Sequence, residues 1–281
     1  MNKPKKLPAT DPSPIDRFFD RKVVISLARR PDRFQKMERR LQAVGILAER
    51  FKATDCRQPE IQAEFEDFQC TPRWSVPWRR RIWTRGGFIR STDHDARLAY
   101  LDRRRADRMV ASGGAWALLD SVRKAIQAAL QSGAETLLLM EDDCVFHREA
   151  NGLFARMLEQ LPTDWFLLQL GTMQWHWWAA KEFSENLYCN PGLAIGTHAV
   201  GYSRQAMEET LRLLARTPAS FDEGIISTLT AWHPHRSFVI RPNLAVQDLE
   251  QSDIGSAKHA STARWARRWR RFRWRAEDYV F

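Results

Sequence analysis

Apolar positions along the chain follow two periods, one of strands and one of helices. KVVISL, residues 22–27, has the density of a strand covered on both faces. ARRPDR follows as a turn. Phe34, Met37, Leu41 and Val44 then fall at intervals of three and four, which predicts an amphipathic helix over 32–44 ended by Gly45. AERFKATD, 48–55, reads as a second short strand and turn. From residue 114, the stripe Trp116, Leu119, Val122, Ile126 and Leu130 predicts a helix that stops at Gly133. AETLLLM is a strand, and 149–161 a helix ended by Pro162. DWFLLQLG is a strand, and GLAIGTHAVGYS, 192–203, a glycine-punctuated strand pair. A helix over 204–215 with Ser203 as N-cap, a short helix in FDEGIISTLTAW and a strand in SFVIRP complete the series. Strands alternating with helices predict an α/β sandwich around a mostly parallel sheet.

Two regions break this order. Residues 57–112 cluster Arg and Trp and show no assignable period, so they read as an insertion in a domain spanning 21–256. The proline-rich start, MNKPKKLPATDPSP, suggests a disordered leader over 1–20. It has lysines but no apolar stretch behind them, so it does not read as a secretory signal.

Composition adds three constraints. With 44% hydrophobic residues, 12 Trp and 15 Phe, the 281-residue chain has ample material for a core. No apolar run reaches the roughly 18 residues of a bilayer span. Of the formal charge of +10, seven Arg lie in ARWARRWRRFRWR, 263–275, leaving about +3 for the rest. The four cysteines form no CxxC, so a cysteine zinc site is not expected, and reduced thiols in a cytoplasmic protein are.

LLLMEDDCVF, 137–146, carries the candidate chemistry. In open α/β sheets, ligands bind at the carboxyl ends of strands. LLLM ends there in Glu141, Asp142 and Asp143. Three adjacent acids repel, and burying them unpaired is costly, so a positive group should meet them. Oxygen ligands favour Mg²⁺ or Mn²⁺. In an extended stretch, Glu141 and Asp143 would point to one side and Asp142 to the other. The alternative is a solvated acidic turn. GxGxxG and GxxxxGK[ST] are both absent, so a bound nucleotide diphosphate would need a cation rather than a glycine loop.

VVISLARRPDRFQKMERRLQAVGI, AERFKATD, GGAWALLDSVRKAI and LLLMEDDCVF occur in that order, followed by AVGYSRQAM and AVQDLEQSDIGS. This ordered set resembles glycosyltransferase family 25, which includes bacterial lipooligosaccharide galactosyltransferases and collagen galactosyltransferases. The resemblance covers residues 22–56 and 113–256. It implies a GT-A-like fold and a UDP-sugar donor, with galactose foremost. It also implies inverting transfer to a glycan or lipid-linked glycan hydroxyl in cell-surface polysaccharide synthesis, with Mn²⁺ or Mg²⁺. By position, Glu141, Asp142 and Asp143 match the acidic motif that holds donor and metal. Arg30 and Arg33 match the basic turn after the first strand. Gln247 and Asp253 are candidate donor contacts, with loop capping as the alternative. One departure stands out: where the family carries a Ser-His pair, this chain has Ala117-Leu118.

Inverting transfer needs a base and stabilisation of the leaving diphosphate. Asp222 and Glu223 are the candidates for the base; alternatively, Asp222 simply begins its helix. Glu141, Asp143 and His198 form the candidate metal set, although a lone strand His is commonly a hydrogen-bonded core residue. Arg29, with Arg30 and Arg33, is placed to meet phosphate. Trp175, Trp177 and Trp178 either stack on sugar rings or pack on the insertion.

In the tail, 257–281, Trp265, Trp269 and Phe272 share one helical face among arginines. This suits an amphipathic segment on an anionic membrane, placing the protein at the inner face of the cell membrane. The other reading is a tail packing its Trp residues on the body. Basic aromatic segments also bind nucleic acid, but the transferase reading calls for no nucleic acid. The rival to an enzyme is a non-catalytic protein of the same fold tethered by this tail.

Overall fold

The computed structural model describes residues 11–70, 110, 112–174, 180–189, 194–216, 219–248, 272 and 274–281. In chain order, the first half holds α1 (Pro14–Phe18), β1 (Arg21–Leu27), α2 (Pro31–Ala43), β2 (Glu49–Ala53), α3 (Pro59–Cys70), α4 (Gly113–Gln131), β3 (Thr136–Glu141) and β4 (Cys144–Phe146). There follow α5 (Ala150–Leu158), β5 (Leu167–Gln174), β6 (Lys181–Ser184), β7 (Leu187–Cys189), β8 (Ala194–Ser203) and α6 (Arg204–Arg216). A π-helical turn (Phe221–Ile226) runs into α7 (Ser227–Trp232), before β9 (Ser237–Ile240) and β10 (Ala245–Gln247).

Eight strands form one sheet in the order β2-β1-β3-β8-β5-β9-β7-β6, and β10 pairs with β4 in a separate two-stranded sheet. The α/β architecture is the one expected. The strand directions are mixed: β1 runs parallel to β2 and β3, and β5 to β9, while β8 lies antiparallel between β3 and β5. The antiparallel β6–β7 hairpin extends the far edge.

Helices cover both faces. Val23, Ile25, Leu137 and Leu139 pack with Val122, Ile126 and Ala129 of α4 and with Ala206 and Met207 of α6. Val24, Leu138 and Met140 face the other way, onto Met37 and Leu41 of α2 and Phe154 and Met157 of α5. Burial on both sides is why these strands read as unbroken apolar runs. Gly133 ends α4 at φ 79°, in the left-handed region where a Cβ costs energy.

Four expectations need correction. Residues 1–20 are not a leader throughout: Ser13 caps α1, and Ile15 and Phe19 are buried beside Phe154. The region 57–112 begins with α3, whose Phe65 and Phe68 pack on Trp116. The described part of 192–203 is the single strand β8 (Ala194–Ser203), not a pair, with Gly196 inside it. Finally, the tail's last segment is anchored. Val280 N–H donates to the Phe146 carbonyl (2.9 Å), Arg148 N–H to the Asp278 carbonyl (2.8 Å), and the Tyr279 hydroxyl to the Asn243 carbonyl (3.0 Å). Tyr279 and Trp274 cover Val145 and Val246, on β4 and β10. No described helix is long and apolar enough to cross a membrane.

Candidate functional site

The parallel strands β1, β2 and β3 end at one edge, and a cleft opens there to solvent. Ile25, Leu27, Ala53 and Thr54 form its strand-end floor, and Ala117, Leu118 and Ser121 of α4 one wall. Arg29, Arg33, Glu141, Asp142 and Asp143 also line it.

β3 stops at Glu141, and Asp142 and Asp143 sit in the turn before β4. The alternation expected of an extended stretch therefore does not hold. Arg33, in the first turn of α2, pairs with both Asp142 (2.9 Å) and Asp143 (3.4 Å). Glu141 stands apart and accepts the Thr197 hydroxyl of β8 at 2.9 Å. Gln247 Nε2 donates to Asp143 Oδ2 at 3.1 Å, while Asp143 Oδ1 is buried without a hydrogen-bond partner among the described residues.

Crowding fixes the electrostatics. Burial, then the nearby Asp143, push the Glu141 pKa up to about 8; Thr197 opposes this, and Asp222 and Asp142 add to it. Burial also raises Asp143, against the pull of Arg33 and Gln247. More carboxylates than cations thus converge, as a site for a further positive charge would require.

The predicted residues divide accordingly. Arg33, Glu141, Asp142, Asp143 and Gln247 come together. Asp222 joins them: its Oδ2 accepts the Gly196 N–H (3.2 Å), and its charge reaches Glu141. Arg30 does not join, because its guanidinium turns outward to Asp32 (2.8 Å); Arg29, beside it, lines the cleft and pairs with Asp55 (2.8 Å). Glu223 lies in the same π-helical turn as Asp222, with its side chain outside the described residues. Asp253, Trp175, Trp177, Trp178, and all of 263–275 except Phe272, Trp274 and Arg275 also lie outside them.

His198 does not line the cleft, and its ring braces β10. It is fully buried, and its Nε2 lies 3.1 Å from the Ala245 carbonyl, so Nε2 carries the proton. Burial holds its pKa down at about 4, leaving a neutral ring. The contact pins β10 onto the large sheet, two residues before Gln247. It is possible only because residue 171 is glycine: a Cβ there would overlap the Ala245 carbonyl oxygen and crowd the His198 ring.

Sequence reasoning missed Thr197, Arg40 and Asp248. Arg40 is buried on α2, donates to the Cys144 carbonyl (3.0 Å) and pairs with Asp248. Burial pushes the Asp248 carboxyl up, but Arg40 and Lys36 outweigh it and hold the pKa below the usual carboxylate range. The available signal was an arginine on the apolar stripe of α2, between Met37 and Leu41.

Asp143 and Glu141 are the residues that could hold a hard divalent cation. Asp143 offers a free buried oxygen and Glu141 a crowded carboxylate, although no group of three or more such residues is pre-arranged among the described residues.

No protein-family model matches the chain, and no curated protein sequence does. Among solved structures it is similar to the mannose-1-phosphate geranyltransferase of Thermus thermophilus. Identity is 17% and the TM-score 0.27, over 43% of this chain and 49% of that one. The chain thus spans about half that protein's length, and so loose a superposition carries no argument about activity.

Proposed function

We propose that the protein is a divergent family 25-type glycosyltransferase that moves a sugar, galactose foremost, from a UDP-sugar to a glycan hydroxyl with inversion. The observation that supports this reading is the acidic turn buried at the carboxyl ends of parallel strands, under Arg33 and facing an open cleft. In the proposed reaction, the acceptor oxygen bonds to the anomeric carbon as the bond to the diphosphate breaks. Asp222 takes the acceptor proton, and Arg29, released from Asp55, meets the diphosphate. Glu141 and Asp143 would hold Mn²⁺ or Mg²⁺, which when bound neutralises diphosphate charge. Gln247 keeps Asp143 oriented, and the apolar wall at Ala117 and Leu118 limits water in the cleft.

Calorimetry with UDP-galactose and other UDP-sugars, with and without Mn²⁺, tests this. Wild type is expected to bind at least one donor in a metal-dependent way, and Asp143→Asn to lose about 10–100-fold in affinity. No binding of any UDP-sugar, or equal binding by Asp143→Asn, sinks the reading. Ala117-Leu118, lining the cleft where the family carries Ser-His, supports a second reading as a donor-binding protein without activity. Tight binding with no transfer to any glycan acceptor would favour it.

A further inference from the structure

This inference rests on the reading of the acidic turn as the donor site. Arg40 is among the largest fully enclosed side chains, at 2% exposure. A guanidinium stays charged when buried and must find partners. α2 places it two turns after Arg33, on the same side of the helix. Its Nη1 donates to the Cys144 carbonyl at 3.0 Å, and its Nη2 to the Asp248 carboxylate. Lys36, one turn earlier, reaches that carboxylate at 2.9 Å. The Asp248 N–H in turn donates to the Asp143 carbonyl at 2.8 Å. The consecutive carbonyls of Asp143 and Cys144 are therefore held by the two members of one ion pair. The residue before Asp248 is Gln247, whose amide grips the Asp143 side chain. Backbone and carboxylate of Asp143 are thus fixed from the same short stretch, and that stretch is fixed by Arg40.

A buried ion pair is a poor source of stability. Replacing a whole pair by apolar residues is often neutral or better, whereas removing one partner is strongly destabilising. What such a replacement cannot reproduce is the directed hold on two carbonyls. We infer that Arg40 is a positioning residue for the acidic turn, setting the aim of Asp143 through the Cys144 carbonyl and Asp248.

The test compares wild type, Arg40→Met, Arg40→Lys and the double variant Arg40→Met/Asp248→Leu. Thermal stability and affinity for Mn²⁺ and UDP-galactose are measured on the full chain. Arg40→Met removes one of the two described cations that face the buried Asp248 and is expected to lose the most stability. The double variant is expected to recover stability towards wild type while remaining about 10–100-fold weaker for both probes. Arg40→Lys keeps the charge but not the fork that reaches two acceptors. It is expected to fold with intermediate affinity, and it decides the matter should the double variant not fold. Recovery of affinity together with stability in the double variant, or wild-type affinity in Arg40→Lys, overturns the proposal. Should wild type bind neither probe, the donor-site reading falls by itself. Amide exchange over residues 143–145 then decides the positioning role. Faster exchange in Arg40→Lys than in wild type upholds it, and equal rates overturn it.

Discussion

Glu141 separates this site from an ordinary acidic turn. Its neighbour Asp143 shares Arg33, whereas among the described residues Glu141 has the Thr197 hydroxyl and three nearby carboxylates. Its pKa rises from 4.5 in an unfolded chain to about 8 in the folded one. Between those values the folded protein holds a proton that the unfolded chain releases. Folding is therefore favoured at the acid end, and stability falls as pH rises from about 4.5 to 8. Glu141→Gln keeps an acceptor for Thr197 and carries no charge, so it should flatten this contribution. Chemical denaturation of wild type and Glu141→Gln across the window measures it. An identical pH dependence in the two proteins would refute the assignment. The triplet itself was legible, because three acids after LLLM need an explanation. Which acid pairs with which was not: that depends on β3 ending at Glu141, and on Arg33 arriving from α2 rather than from the turn where Arg30 sits.

At the scale of elements, β1, α2, α4, β3 and α6 were legible because apolar periodicity reports burial directly, and these elements bury one stripe or both faces. The short pieces were not. β4 and β10 are three residues each and pair across about a hundred positions of sequence, so no local period marks them. Yet they carry the end of the acidic turn and Gln247. Their outer face is covered by Tyr279, whose role is equally invisible within the arginine-rich tail. Tyr279→Ala should cost about 3–5 kcal/mol, as for other buried aromatics. Tyr279→Phe, which loses only the hydroxyl bond to Asn243, should cost about 1 kcal/mol. Urea denaturation distinguishes the two, and equal small losses would show that the C-terminal strap is dispensable to the small sheet.

For the whole molecule, the strap changes how the basic segment must be tested. Asp248 is at the site and Tyr279 is on the small sheet, and all seven arginines of 263–275 lie between them in sequence. Removing the tail would also uncover Val145 and Val246, so weakened vesicle binding by a truncated chain could reflect a disturbed small sheet. The membrane expectation is better tested by exchanging the arginines of 264–273 for glutamine and leaving 274–281 intact. Thermal melting of both chains checks that the exchange leaves the fold intact. If the segment meets anionic lipid, each lost arginine removes about 1 kcal/mol of attraction, so flotation with phosphatidylserine vesicles should collapse while the melting temperature holds. Retained flotation would remove the membrane from the account.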